Sequence, residues 1–416
     1  MAFGSAATTR SYLDATGRGT IKRLDVLVFQ KVAEGYLLES KMTVTDFGES
    51  GTTWEDIDAN WQADPIKSFG DGHCVMRVTP GKKRFYFFAN CDKATLKRYS
   101  DKSTFSFDDI SSIRNEEDLK DIVIEKFSYS NPQYDETDLL PMTGVLDYEV
   151  TEDEHQTVTS PAQIELTRAV SKVTVKARLD VTGYYKSSTK TTYLPSDSQA
   201  KSGEVTYVSL QTFSISNNPT YSYLYPQYTG ETSQVYATDD GTTKEVVKLP
   251  SYESSDYQTA GMNTLDKAIE FTSTNTNYTT TEEVTETSGT TTTTSTHYFT
   301  AYRDLGSVYV LENPFGTGST TGGKRLNDQT AGVYKNMGSA SRLTISYTNK
   351  KKSGSSLTTQ TNSVLRDIPY LERNGELQIL ATILLPSTTY NPETFDVYIQ
   401  VQSTWTPREE DVPAFE

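Results

Sequence analysis

The chain has 416 residues and carries 39 Lys and Arg against 55 Asp and Glu, a net charge of −16. That acidic balance argues against nucleic acid or an anionic membrane surface as the main partner. Hydrophobic residues make up 35%, enough for packed cores but not for a membrane bundle, and the length suggests two or three domains of ~150 residues.

No apolar run approaches the ~18–20 residues a spanning helix needs. Tyr is abundant, 27 against 16 Phe and 3 Trp, which leans toward β structure and half-wet surfaces. Residues 1–10 show neither the basic n-region nor the apolar h-region of a signal peptide; for a secreted protein that signal would lie outside this chain.

Period-2 patterns dominate the first third. Residues 21–29 end in a continuous apolar run, as expected of a strand buried on both faces. Residues 36–44 alternate again after Glu34-Gly35, a hairpin signal. Residues 74–78 and 84–90 read as a second hairpin turning at 80–83. It would bring Cys74 and Cys91 near each other, either as a disulfide or as two small buried hydrophobes. Short helices are expected at 93–99 and 107–119, strands at 122–129 and 145–150, and 163–166 closes a first domain placed at 1–167.

The second domain, 168–416, opens with the alternating strand 170–179 and continues with 205–215. Residues 217–296 then change character. They are rich in Tyr, Ser, Thr, Asn and Gly, and such a tract can pair as surface strands or stay irregular, but cannot build a core of its own. Strand signals return at 297–302, 308–311, 342–347, 376–384 and 395–401. Many short strands with few helices predict an all-β protein of two tandem β-sandwich domains.

Chemistry-bearing patterns are sparse. His73, His155 and His297 stand far apart, and neither a metal-ligand spacing, a nucleophile elbow nor a phosphate loop is present. The segment 315–324 reads as a Gly-rich loop, and the acidic clusters 116–118 and 152–154 as solvated charge. We therefore expect no catalytic residue, no metal, no cofactor and no enzymatic activity. Tyr221, Tyr223, Tyr225 and Tyr228 form a candidate ligand surface, since exposed aromatics stack on sugars or on partner proteins; an ordinary Tyr-lined strand edge is the other reading. Near the C-terminus Phe395, Val397, Ile399 and Val401 alternate with polar residues, and Trp405 continues the apolar face. That strand either completes its own domain or serves as a donor strand to another chain.

Several local patterns, in order along the chain, resemble the fimbrillins, the type V pilins of Bacteroidales (FimA/Mfa-type fimbrial subunits). They are Lys22-Arg-Leu-Asp-Val-Leu-Val-Phe29, Arg84-Phe-Tyr-Phe-Phe-Ala-Asn90, Leu140-Pro-Met-Thr-Gly144 followed by Ile164-Glu-Leu-Thr-Arg-Ala-Val-Ser-Lys-Val-Thr-Val175, Val308-Tyr-Val-Leu-Glu-Asn-Pro314, and Leu371-Glu-Arg-Asn374 before the closing strands. The resemblance implies transthyretin-like sandwiches meeting near Thr167-Arg168, export as a lipoprotein to the outer membrane and cell surface, and polymerisation with other pilin subunits by strand exchange. It also implies cleavage by an Arg-specific protease between Arg10 and Ser11, with Arg18 as a second candidate, releasing a short N-terminal strand. A tip adhesin or a surface glycan-binding lipoprotein is the alternative role.

Overall fold

The structure, a computed structural model, describes residues 2–3, 21–45, 67–69, 73–75, 78–125, 140–152, 157–158, 166–233, 244–248, 250–251, 256–258, 261–288, 291–313, 341–368, 371, 373–385 and 397–402. It is an all-β protein of two sandwich bodies. Among the described residues no helix is long and apolar enough to cross a membrane.

The N-terminal body is built on a five-stranded central sheet in the order β12-β10-β6-β2-β3. Its strands are β2 (Leu24–Val32), β3 (Gly35–Val44), β6 (Gly81–Ala89), β10 (Met142–Val150) and β12 (Thr167–Arg168). The run Val26–Phe29 of β2 is apolar without alternation because both its faces are covered. Leu24, Val26 and Val28 share one buried face with Phe85, Phe87 and Ala89 of β6, while Leu27 and Phe29 share the other with Tyr86 and Phe88. The second of these faces packs on a covering sheet, β18-β9-β7-β8, made of β7 (Thr95–Arg98), β8 (Thr104–Phe105), β9 (Ile122–Glu125) and β18 (Tyr221–Tyr223). A small further sheet, β11-β1-β5-β4, joins β1 (Ala2–Phe3), β4 (Lys67–Phe69), β5 (His73–Val75) and β11 (Thr157–Val158).

Two expectations for this region are corrected, and the open choice at Cys91 is decided. Residues 74–78 do not pair with 84–90. Strand β5 lies in the small sheet, and β6 takes β2 and β10 as partners, because those long apolar strands match its alternating faces. Cys91 is a buried free thiol, pushed well up by burial first and then by Asp25 and Asp92, so no disulfide links it to Cys74. Residues 93–99 are not helical: a 3-10 turn at Cys91–Lys93 runs into β7, where pairing with β8 and β9 overrides weak local propensity.

The expected helix at 107–119 shrinks to α1 (Glu116–Lys120). Ahead of it, Ser106 and Asp109 side chains bond nearby backbone N–H groups and hold the chain in turns. The helix begins only where Asn115 and Asp118 form a capping box.

Strand β6 ends at Asn90, which is fully buried with a left-handed φ of 56°. Its Oδ1 accepts from the Lys22 backbone N–H at 2.9 Å and its Nδ2 donates to the Leu140 carbonyl at 3.4 Å. Asn tolerates this conformation and Ala does not. Asn90→Ala is expected to destabilise the fold by about 2–4 kcal/mol through strain and the orphaned partners. Asn90→Gly should cost less, because it relieves the strain; urea midpoints of the two variants check this.

The C-terminal body packs two sheets face to face. The front sheet runs β23-β24-β13-β28-β29, with β25 also on β13. These are β13 (Val170–Asp180), β23 (Thr280–Ser288), β24 (Thr291–Phe299), β25 (Arg303–Leu311), β28 (Glu376–Leu384) and β29 (Val397–Gln402). The back sheet, β22-β16-β26-β27, comprises β16 (Val205–Ser216), β22 (Gly261–Phe271), β26 (Arg342–Ser353) and β27 (Ser356–Asp367). Between the sheets lie Val173, Val175, Ala177 and Leu179 of β13, Leu377, Ile379 and Ile383 of β28, and Leu210, Phe213 and Ile345 from the back sheet. Three short pairs stand apart from these sheets: β14 (Tyr185–Lys186) with β15 (Thr191–Thr192), β17 (Asn218–Pro219) with β21 (Tyr257–Gln258), and β19 (Tyr228–Ser233) with β20 (Lys244–Val247). The threonine-rich tract does pair, as the hairpin β23–β24.

Candidate functional site

Three features bear on the expected strand exchange: strand β1, strand β29 and the junction that joins the two bodies. Strand β1 is an inner strand. Ala2 and Phe3 pair in parallel with Thr157 and Val158 of β11 on one side and antiparallel with Val75 and Cys74 of β5 on the other. Two residues of the N-terminal segment thus hold a sheet position with neighbours on both edges. Arg10 and Ser11, and Arg18, lie outside the described residues.

Strand β29 is the last strand of the front sheet, paired antiparallel with β28 from Ile383↔Val397 to Gln378↔Gln402. Of the candidate donor-strand residues, Val397, Ile399 and Val401 belong to it, while Phe395 and Trp405 lie outside the described residues. In this structure the strand lies at the end of its own sheet, and among the described residues β28 is its one neighbour there.

The four tyrosines do not share an open face. Tyr223 is buried, and Tyr221 donates to the Ser251 carbonyl at 3.0 Å and to Asp256 at 2.9 Å. Tyr225 meets the ring of Tyr86 edge-on at 4.8 Å. Burial pushes the Tyr223 and Tyr225 phenols up to about 12. Tyr228 alone of the four is exposed, at 52%. The reason is topological: 221–223 pair with β9, so the tyrosine stretch is consumed in closing the covering sheet of the N-terminal body.

Tyr86 in turn donates to Glu116, which also accepts from Arg84 at 2.7 Å. Burial pushes the Glu116 carboxyl up, but the bonds from Tyr86 and Arg84 outweigh it and hold the group below its ordinary value near 4.5. A carboxyl lowered in the folded state adds stability above its unfolded pKa and loses it as pH falls through the folded value. Between pH 6 and 3, wild-type protein is therefore expected to lose more of its urea midpoint than Glu116→Gln, an isostere that has no such titration.

The junction gathers residues that the sequence placed in separate motifs. Arg373 and Glu312 are buried, with Arg373 Nη2 at 2.7 Å from Glu312 Oε1. Arg373 also donates to the Leu224 carbonyl at 2.6 Å and to the Tyr223 carbonyl, while Ser222 donates to Glu312. Beside them Asn218 donates to the Leu311 carbonyl at 2.9 Å, and Asn313 donates to Ser341 at 2.8 Å. The backbones of Asn313 and Leu371 bond each other in both directions, and Asn374 donates to the Val170 carbonyl at 3.0 Å. This clasp ties β18 and the ends of β13 and β25 together where the central sheet meets the front sheet. Sequence reasoning quoted Glu312, Asn313, Arg373 and Asn374 only as pieces of motifs; their joint presence as charge and amide groups beside apolar strands was the available signal.

His297 is buried with Nδ1 2.7 Å from Asp180 and Nε2 3.0 Å from Ser295. The same order of groups occurs in acyl-transfer triads. Here Ser295 and His297 stand two residues apart on one strand, and the tie they make fastens β24 to the end of β13, where those strands share a single residue pair, Asp180↔Phe299. Among the described residues no group of three or more His, Cys, Asp or Glu could hold a metal ion.

No family model matches the chain, and no curated protein matches it. Solved structures similar to it include a protein assigned to cell adhesion from Parabacteroides distasonis, at TM-score 0.42 and 13% identity over 96% of each chain. Another, assigned to cell adhesion, from Bacteroides eggerthii, has TM-score 0.42 and 11% identity over 92% of this chain and 88% of that one. The tip fimbrial protein Mfa3 from Porphyromonas gingivalis, truncated at its C-terminus, has TM-score 0.34 and 13% identity over 92% of this chain and 94% of that one. These are Bacteroidales adhesion and fimbrial proteins, the class that the sequence motifs resemble.

Proposed function

We propose that this chain is a non-catalytic subunit of a surface fimbrium, acting in cell adhesion and assembling by strand exchange after an Arg-specific protease cuts between Arg10 and Ser11. The observation that supports this most directly is the place of β1 between β11 and β5. Losing residues 1–10 removes an inner strand and leaves two unpaired edges facing each other across one strand's width. Unpaired edges are templates for a strand from another chain. The donor in this reading is the C-terminal segment carrying Phe395, Val397, Ile399, Val401 and Trp405, because a strand held along one edge gives up fewer ladder bonds on transfer than one held along two.

The test is to treat the full chain with an Arg-specific protease, sequence the new N-terminus, and follow assembly by SDS-resistant ladders and electron microscopy. A terminus at Ser11 or Gly19 followed by ladders is expected, with no ladders from a chain lacking 395–416 that is still cleaved. A cut chain that stays monomeric, or an uncut chain that polymerises equally well, overturns the reading. The tip-adhesin alternative rests on the exposed Tyr228 alone; retention on a glycan array that Tyr228→Ala abolishes would favour it.

A further inference from the structure

Lys83 has a side chain with no solvent exposure, in a strand that otherwise contributes aromatics to the core. Its Nζ donates to three groups: the Gln30 carboxamide oxygen, the Glu39 carboxylate, and the Thr79 hydroxyl at 2.7 Å. A lone surface pair would need only one of these. The combination of a dry primary amine, a primary carboxamide and a carboxylate touching that amine is the set required for amide exchange.

Each group is placed by a separate feature of the backbone. Gln30 and Lys83 are direct partners across β2 and β6, so their Cβ atoms stand ~4.5–5.5 Å apart. Glu39 is the extra residue of a β-bulge: Val28 pairs with Ser40 and Phe29 with Leu38, leaving Glu39 without an opposite number. Bulges re-aim side chains, and here the carboxylate turns onto Lys83. Its Oε1 is fixed by the Thr79 N–H at 2.7 Å and the Thr79 hydroxyl at 2.8 Å, which leaves Oε2 for Nζ. Burial pushes the Glu39 carboxyl up, but the bonds from Lys83 and Thr79 carry it below its ordinary value, so it is present as a proton acceptor. The Gln30 carboxamide is oriented by Nε2 donating to the Lys31 carbonyl at 3.1 Å. It lies over Gly81, where a Cβ would come within 2.9 Å of Nε2.

We infer that Lys83 and Gln30 form an intramolecular isopeptide bond, with Glu39 as the proton relay. Glu39 takes a proton from the Lys83 ammonium. The freed amine lone pair attacks Gln30 Cδ and forms the new C–N bond. The tetrahedral carbon then collapses, breaking the bond to Nε2. Of the three ammonium protons, one remains on the new amide and two pass by way of Glu39 to the departing nitrogen, which leaves as ammonium. Glu39 ends as the carboxylate it began as. No oxidant, metal or second enzyme is required, and dilution of ammonium into solvent drives the exchange. Holding amine and carboxamide in one geometry supplies effective molarities of ~10⁵–10⁸ M, and the carboxylate contributes general acid–base catalysis of ~10²–10⁴-fold.

The decisive measurement is the intact mass of the purified full chain, followed by tandem mass spectrometry of a protease digest. The expected mass is lower than the sequence mass by one ammonia, with a branched peptide joining the segments around Gln30 and Lys83. Glu39→Gln, which keeps the shape of the relay residue, is expected to slow bond formation by ~10²-fold or more, so that fresh protein has the unmodified mass; far-UV circular dichroism confirms that it is folded. Wild-type protein at full sequence mass, with separate unbranched peptides covering Gln30 and Lys83, overturns the inference, as does a loss of ammonia that maps elsewhere. A branched peptide formed as fast in Glu39→Gln as in wild type would remove Glu39 from the mechanism.

Discussion

Arg373→Ala is expected to lower the stability of the chain by about 3–5 kcal/mol, the usual cost of removing one partner of a buried ion pair. The guanidinium carries more than a charge here. Its loss orphans the carbonyls of Tyr223 and Leu224 and leaves the Glu312 carboxylate buried with only hydroxyl support from Ser222. Glu312→Ala should cost less, because Arg373 keeps its carbonyl acceptors. The double variant Glu312→Leu with Arg373→Met should recover part of the loss but not all, since an apolar pair removes both charges yet cannot satisfy the two carbonyls. Chemical denaturation of the wild type and these three variants ranks the losses, and adding the double variant Glu312→Ala with Arg373→Ala completes the cycle that gives the coupling energy. Equal losses in the two single variants would mean that the ion pair alone, and not the carbonyl bonds, holds the junction.

Phe88→Ala is expected to cost about 3–5 kcal/mol, from lost burial plus the cavity left in a close-packed site. Phe88 is fully buried, lies 4.7 Å from the Phe107 ring and 6.4 Å from the Tyr86 ring, and stands on the middle strand of the central sheet. By contrast Leu357→Ala, at a half-exposed position of the outer strand β27, should change stability by no more than about 0.5 kcal/mol. Hydrogen exchange adds a sharper check. The Phe88 variant should lose protection in β18 as well as β6, because β18 closes the sheet that packs on this core. Protection lost in the N-terminal segments but retained in β18 would show that β18 belongs energetically to the second body.

Strands with a clean alternating or continuous apolar pattern were legible from sequence. Strands β2, β13 and β28 fall where Val, Ile and Leu spacing puts them, because each has at least one face against a core. Strand β27 was not legible: its Ser, Thr, Gln and Asn bear no hydrophobic period, and it exists because β26 offers a full ladder and Gly354, at φ 58°, allows the turn between them. The tyrosines of 221–228 were read as a surface because composition says nothing about which sheet a polar strand joins. The site at Lys83 was half legible. In Gly81–Ala89 the alternation that buries Phe85 and Phe87 also points Lys83 inward, which marks an anomaly. The partner Glu39 was hidden, since a one-residue bulge cannot be inferred from a strand pattern that reads equally well without it.

The use of β18 in the covering sheet also sets the timetable on which the chain can mature as it emerges from a ribosome or a translocation pore. A nascent chain ending near residue 168 has every strand of the central sheet but lacks the fourth strand of the sheet that packs on it. The outer edge of β9, from Val123 to Glu125, must wait for Tyr221–Tyr223 to pair with it. Strand β13 waits longer still, since its parallel neighbour β28 begins only at Glu376. The first body cannot close before Tyr223 has appeared, nor the second before Leu384, so the chain folds late and from distant contacts, a slow topology with exposed strand edges in the interval. A holdase that shields those edges during folding is therefore expected to raise the yield of folded chain far more than a prolyl isomerase would, and paired refolding assays with each added would separate the two.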